Sequence, residues 1–558
     1  MSSDTLGSYF LAGVARYPQR QLVRQPGRAR TYAEIAVAVA STVEQLRARG
    51  IVRGDYVACY LEDQVPNLIF ELACALSGVI AVPLSPLFSV DYFVQGIVRR
   101  VDAKAVLTNA AGAAALAGHG VQLFAYPDPN AATPLEGVEM FEPRSMHGEQ
   151  AIQSLRASAT GIGGDDVFMV QPTSGSTGTP KLVVRLHRAF TRYAHFVGDQ
   201  LVIPESGEPA GFLTAATLTH AFGLHMLTTA LKRAGTLCIP SNLDTAASLA
   251  EIRALDPAVL PILPRMQRAL LRQHERDYPG EERIFGPGAR YICSAGGVAD
   301  PAILERISKT GVEIIEFYGS SEASVVAITQ RGRWRAGWSG MVAPDADVRV
   351  NEDGELTVRS PGVMQGYFGD PEATAAVTDA EGRYLTGDQG EVTADRQLRI
   401  LGRKRDVFNT PEGSNIYPGP IEQQLESLPL IEAAVLVDDQ RPFLVALLVV
   451  QSTPSQEGDA KILYPAAHAS LYQQIGLALS ELNAKLERVE QIVRFAVLSG
   501  PFATEAYRVV GPGKIRRDRV AVRKIYADVI SYLFGSAPNL DASFVPGIER
   551  RLRPTERP

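Results

Sequence analysis

The chain has little cysteine, little tryptophan, no long uninterrupted apolar run and no excess of positive charge. Its four cysteines, Cys59, Cys74, Cys238 and Cys293, show no CxxC spacing and lie in apolar surroundings. That excludes a disulfide framework or a zinc ribbon and predicts buried free thiols. The longest apolar stretch, from Ile69 to Leu87, is broken by Glu71, Gly78, Pro83 and Pro86. It suits a core helix followed by a strand, and no transmembrane segment is expected. The start, Met1-Ser2-Ser3-Asp4, carries neither a positive n-region nor a long apolar h-region, so a cytoplasmic location is expected. A net charge of −6 speaks against nucleic acid or an anionic membrane as the main partner.

What is present reads as a soluble enzyme. The 558 residues are 46% hydrophobic and 21% charged, ordinary values for globular proteins. By length they amount to about three to four domain equivalents. Thr31-Tyr32-Ala33-Glu34 is a capping-box pattern, followed at helical spacing by Ile35, Val39, Val43 and Leu46, with Gly50 past the end. A strand-like run at 56–60, a helix over 67–76 and a buried strand over 78–84 follow, which implies parallel α/β layering. Short apolar runs at 211–216, 258–263, 291–294 and 313–317 continue the rhythm.

After Gly337 the texture changes. Short alternating runs at 348–350, 355–359, 390–393 and 398–401, separated by Gly/Asp turns, predict an antiparallel β subdomain over about 338–402. The fold class is therefore α/β. A large N-terminal domain of layered sheets plus this β subdomain spans 1–402, and a smaller, mobile α+β C-terminal domain spans 403–536. Residues 537–558 read as a loose tail. Within the smaller domain, strands are predicted at 431–437 and 444–450, helices at 419–428 and 468–486, and a basic stretch running into a helix over 513–534.

The chemistry concentrates in loops. Thr173-Ser174-Gly175-Ser176-Thr177-Gly178-Thr179-Pro180-Lys181 combines hydroxyls, glycines and a terminal lysine after the apolar run 167–170. Glycine lets backbone N–H groups approach an anion, hydroxyls add donors and lysine adds charge, so a phosphate chain is the expected guest. The alternative is a Ser/Thr/Gly linker. It is not a Walker A loop, and no GxGxxG fingerprint accompanies it. Tyr318-Gly319-Ser320-Ser321-Glu322 offers a ring for a purine, hydroxyls for a phosphate and a carboxylate for Mg²⁺, or else is a surface loop with a core tyrosine. Thr386-Gly387-Asp388 supplies an acceptor suited to a ribose diol, or a simple turn. Gly402-Arg403 stands at a charged break, Gly513-Lys514 places a lysine on a loop, and His220 follows the 211–216 run; each has a plain structural reading as well.

Taken in order, Thr173–Lys181, Tyr318–Glu322, Thr386–Asp388, Gly402–Asp406 with Gly413, and Gly513–Lys514 resemble the core motifs of the adenylate-forming (AMP-binding) superfamily. The resemblance spans nearly the whole chain. Residues 402–422 and 441–447 look most like acyl-CoA and acyl-ACP synthetases of the fatty-acid type. It implies that Thr173, Ser174, Gly175, Ser176, Thr177, Gly178 and Lys181 cradle the β- and γ-phosphates of ATP. Tyr318 would stack on adenine, Ser321 would hold the α-phosphate, with Gly319 and Ser320 beside them in the nucleotide site, and Glu322 would ligate Mg²⁺. Asp388 and Arg403 would bind the ribose, and Gly296 and Gly297 would form a side-chain-free wall between adenine and the acyl pocket. His220 would stand where the carboxylate enters, Lys514 would bridge carboxylate and α-phosphate, and Arg405 would be the hinge of a swinging small domain.

The implied activity is ATP-dependent conversion of a carboxylic acid, expected to be a fatty acid, to acyl-AMP and then to its CoA thioester. The alternative is loading of an acyl or aryl acid onto the phosphopantetheine of an acyl carrier protein. A silent scaffold and ATP-driven β-lactone or amide formation are further readings. Some positions depart from the pattern: Ser321 for threonine, Tyr384 for tryptophan, Asn409 for lysine and Gly419 for glutamate. The basic run Arg516, Arg517, Arg519, Arg523 and Lys524 is either a solvated helix face or a dock for CoA phosphates or a carrier protein's acidic surface.

Overall fold

The computed structural model describes residues 4–61, 63–84, 90–126, 138–141, 146–173, 180–201, 209–215, 217–241, 245–297, 299–409, 415–428, 430–438, 443–450, 462–463, 467–498, 502–503, 506–511 and 514–535. Ser174 to Gly178, Gly413, Gly513 and the expected tail lie outside these residues. The chain forms two compact units; the smaller takes Gly387–Gly390, Leu401–Val509 and the chain from Lys514 onward.

The larger unit begins as its sequence predicts. Thr31 Oγ1 accepts from the Glu34 amide at 3.2 Å while the Glu34 carboxylate accepts from the Thr31 amide at 2.7 Å. This reciprocal cap starts helix Tyr32–Ala48, and Gly50 beyond it takes φ +75°, a left-handed turn that favours glycine. Helix Gln64–Ser77 and strand Ile80–Leu84 account for the broken apolar stretch.

Two large sheets carry the unit. One, eight-stranded, pairs Ile80–Leu84, Tyr56–Tyr60 and Ala105–Thr108 in parallel, and Val167–Thr173 antiparallel to Lys181–Leu186. The other runs parallel through Gly211–Leu213, Val259–Pro261, Tyr291–Ser294 and Glu313–Ser320. One buried cluster joins inner-facing Cys59, Ala81 and Met169 of the first sheet to Phe212, Val259 and Ile315 of the second through helices between them. The outer faces bury separate clusters, around Val82 and Val170 on one sheet and Leu260 and Ile292 on the other. A parallel sheet covered on both faces explains why these strands read as continuous apolar runs.

The expected β subdomain is antiparallel, but its strands continue the second sheet: Gly340–Val342 pairs with Ser324–Ile328, which pairs with Glu313–Ser320. Tyr318, Gly319 and Ser320 therefore lie within a strand, where a loop was expected. Likewise Thr386-Gly387-Asp388 lies inside strand Tyr384–Val392 and Gly402-Arg403 ends strand Gln397–Arg403. The reason is common to all three: backbone pairing with a neighbouring strand of the sheet overrides local polarity.

In the smaller unit a four-stranded sheet orders Ile431–Val437, Leu444–Val450, Ile492–Leu498 and Ile462–Leu463. Alternation splits its core in two. Ala446 and Leu448 face helices Pro418–Ser427 and Ala469–Asn483, while Val445 and Leu447 face Ala527–Phe534. Lys514 opens strand Lys514–Arg517, a correction to the loop expected there.

All four cysteines are free and buried. Among the described residues no helix is long and apolar enough to cross a membrane.

Candidate nucleotide and acid site

Strands Val167–Thr173 and Lys181–Leu186 form a hairpin whose last pair is Thr173 with Lys181. Thr173 Oγ1 donates to the Lys181 carbonyl at 3.3 Å, closing the base of the hydroxyl-rich loop. Both expected ends of the phosphate loop are thus side by side.

From that base Lys181 reaches Tyr367, its Nζ lying 4.7 Å from the ring centroid. The Tyr367 hydroxyl donates to Glu322 Oε1 at 3.1 Å. Burial, and then the Glu322 charge, hold the Tyr367 phenol far above its ordinary pKa, so it stays a donor. Tyr384 lies in the same field, raised by burial and then by Glu322. Tyr367 was not foreseen: it occupies the two-residue strand Gly366–Tyr367, which carries no local signature.

The Glu322 turn is tightly built. Gly319 stands at a bulge where any Cβ would collide with the Ser324 carbonyl, so glycine is required. Ser324 takes φ +56°, strained for a residue with a side chain, and its Oγ donates to the Ala189 carbonyl at 3.0 Å. Arg192 donates to the Val325 carbonyl at 2.7 Å and pairs with Asp345, tying the same turn to helix His187–Gln200. Tyr318 is half-buried against Ala323, Val326 and Tyr384.

His220 caps helix Ala221–Lys232, its Nδ1 accepting from the Phe222 amide at 3.3 Å. This is a structural duty that leaves Nε2 outside the cap. Beneath it lies a buried polar group that sequence reasoning missed. Arg185, 1% exposed, donates to Gln171 Oε1 at 3.1 Å and to His225 Nε2 at 2.9 Å, with Phe190 4.2 Å from its guanidinium. Burial pulls its pKa down to about 9, opposed by Glu322, and it remains a cation at neutral pH. The same burial keeps His225 neutral. The available signal was an arginine inside the apolar strand sequence Leu182-Val183-Val184-Arg185-Leu186.

Gly296, just past strand Tyr291–Ser294, takes φ +81°, and among the described residues a Cβ on Gly297 would touch only Pro264, at 3.7 Å. The first glycine is demanded by backbone.

The smaller unit holds Asp388 and Arg403. Arg403 Nε lies 2.9 Å from Asp388 Oδ1, and Asp388 is 8% exposed. Arg405 sits in the 3₁₀ turn Lys404–Asp406, 3.8 Å from Asp406. Of the basic run, Arg519 is bound to Glu422 at 2.6 Å and Arg523 to Asp438. These two charges already have acidic partners within the unit.

Among the described residues no group of three or more His, Cys, Asp or Glu side chains could hold a metal. Glu322 stands as a single carboxylate with one oxygen oriented by Tyr367. That suits Mg²⁺, which binds through one or two carboxylates plus substrate phosphates.

Comparison with known proteins identifies the family. The AMP-binding enzyme family matches residues 10–368, and the AMP-binding enzyme C-terminal domain matches 405–537. A feruloyl-CoA synthase of an Amycolatopsis species is 29% identical over 453 residues, 78% of this chain and 86% of its own length. A long-chain-fatty-acid–CoA ligase of Mycobacterium bovis is 32% identical over 255 residues, 44% of this chain and 42% of its own length. The solved anthranilate CoA ligase in complex with anthranoyl-AMP shares the fold, with a TM-score of 0.76 at 18% identity over 96% of this chain and 99% of that one. The chain belongs to the AMP-binding enzyme family, as an AMP-forming ligase of the acyl-CoA synthetase type.

Proposed function

We propose that this ligase couples an aromatic carboxylic acid to AMP and transfers the acyl group to the thiol of CoA. The observation that carries the reading is the meeting of Lys181 and Glu322 on Tyr367, which brings a cation and an acceptor to one side chain beside the base of the hydroxyl-rich loop.

Two anions must react. A carboxylate oxygen attacks the α-phosphorus of ATP, and the bond to pyrophosphate breaks. Charge gathers on the phosphate oxygens in that transition state, so positioning and neutralisation are the protein's work. Lys181 and the loop it closes would hold the departing phosphates. Glu322 would hold Mg²⁺, which supplies charge neutralisation at the phosphate oxygens. Asp388, fixed by Arg403, would accept from the ribose hydroxyls, and Lys514 would bring carboxylate and α-phosphate together. In the second step the CoA sulfur attacks the acyl carbon and AMP leaves; a swing about Arg405 would exchange the two arrangements.

The preference for an aromatic acid is supported by the comparisons: a feruloyl-CoA synthase, matched over 78% of this chain, is named for an aromatic acid, whereas the fatty-acid ligase matches 44%. That partial match supports a fatty acid as the second reading.

Acid-dependent exchange of pyrophosphate into ATP, run with acids graded in length and aromaticity, tests the first step. Mass detection of the thioester, with free CoA or holo-carrier protein as acceptor, tests the second. Exchange with aromatic acids and saturation by free CoA are expected. Exchange with long-chain acids alone would overturn the aromatic preference, and none with any acid would overturn the adenylation.

A further inference from the structure

We propose that Arg185 is a positioning residue that fixes His220 and so the acid side of the cleft, an inference that rests on the reading of that cleft given above. Among the described residues Arg185 bonds to Gln171 and His225, neither an expected nucleotide contact. Its two hydrogen bonds instead bracket His220. Through Nη1 it holds Gln171, whose Nε2 donates to the carbonyl of Thr219 at 3.3 Å, the residue before His220. Through Nη2 it holds His225, little more than one helical turn after His220. One guanidinium therefore grips both the loop entering helix Ala221–Lys232 and the helix itself.

Each partner is specified by the arginine. Accepting at Nε2 fixes the proton of neutral His225 on Nδ1, an atom with no hydrogen-bond partner among the described residues. The ring stacks instead on Tyr193, with centroids 4.2 Å apart. Gln171 keeps its oxygen toward Arg185 and its nitrogen toward Thr219 because a buried amide flipped the other way would face donor with donor. Lysine cannot replace this fork, since its single ammonium has no planar pair of donors.

Energetics argue against an ordinary packing role. A guanidinium at 1% exposure, bound to two neutral acceptors, is costly where Val183 and Val184 precede it and Leu186 follows. An apolar side chain would fill the position with less penalty. The charge makes sense where geometry on both sides of His220 must be held, and Glu322 is the anion that opposes its desolvation.

The experiment measures pyrophosphate exchange by the full-length protein, with acid and ATP varied separately, for wild type, Arg185→Met, Arg185→Lys and Gln171→Met. Loss of the fork should raise the KM for the acid about tenfold and leave that for ATP within about twofold. Arg185→Lys should recover only part of the loss. Gln171→Met, which leaves the cation in place and cuts only the arm to Thr219, should move the acid KM in the same direction. Equal rises in both KM values, or a lowered thermal midpoint with the acid KM unmoved, would overturn the proposal. If Arg185→Met does not fold, an unchanged acid KM in Gln171→Met overturns it alone. Wild type that exchanges with no acid would instead bring down the reading of the cleft, and this inference with it.

Discussion

Tyr367 donates a hydrogen bond to Glu322 at 3.1 Å while its ring faces Lys181 at 4.7 Å. One side chain thus serves two partners, one at the start of strand Lys181–Leu186 and one in the turn after Glu313–Ser320. The edge of the ring meets a carboxylate through its hydroxyl, and the face meets an ammonium through its π system. Because the phenol is buried, neither contact is diluted by solvent.

Separating the two contacts gives the first prediction. Tyr367→Phe keeps the ring and removes the donor, which for a bond to a charged acceptor costs about 1.5–3 kcal/mol. We expect kcat/KM for pyrophosphate exchange to fall about tenfold or more, with a higher Mg²⁺ concentration needed for half-maximal rate. Tyr367→Leu, which also strips the face from Lys181, should do worse. Wild-type metal dependence in Tyr367→Phe would remove Glu322 from the metal's coordination.

Asp388 offers the second. Its carboxylate is almost enclosed, and Arg403 holds one oxygen. If the other accepts from the ribose, wild type should discriminate against 2′- or 3′-deoxy-ATP by about tenfold or more, the worth of a hydrogen bond to a charged group. Asp388→Ala should lose that discrimination together with ATP affinity. A variant that still discriminates as wild type does would leave the ribose to another residue.

How much of this was legible before the fold depended on how local each feature is. The Thr31/Glu34 cap closes within four residues, and its sequence announces it. The strand 313–317 was legible in its apolar run but not in its extension to Ser320, since Tyr318 and Ser320 are held by Ala327 and Ser324. Arg185 and Tyr367 were invisible as site residues. Nothing within ten positions of either names its partners, which are His225 for one and Glu322 for the other. Lys181, Glu322, Asp388 and Arg403 could be singled out in the sequence because glycine and hydroxyl neighbours mark them locally.

Lys514 stands at the start of a strand, and its expected work is confined to the first half-reaction. Lys514→Ala should abolish pyrophosphate exchange and spare thioester formation from acyl-AMP supplied ready-made. Rapid-quench assays of the two half-reactions measure each rate. Equal loss in both would mean that the lysine does not act on the carboxylate and α-phosphate.

The last prediction concerns stability. Glu71 lies fully buried in helix Gln64–Ser77, with no hydrogen-bond partner for either oxygen among the described residues, and burial pushes its pKa up to about 8. Its neighbours Cys59 and Cys74 are themselves raised, by burial and then by Glu71, so the pocket favours neutral forms throughout. A carboxyl raised in the folded state keeps its proton where the unfolded chain, near 4.5, has already lost it. Stability is therefore complete below that unfolded value, declines as pH rises, and levels off only above about 8. At pH 7 the deficit is about 3 kcal/mol. Glu71→Leu should raise the denaturation midpoint at pH 7 and flatten its fall between pH 5 and 9, measured by urea or thermal unfolding at each pH. An equally steep fall in the variant would show that the alkaline loss comes from other groups.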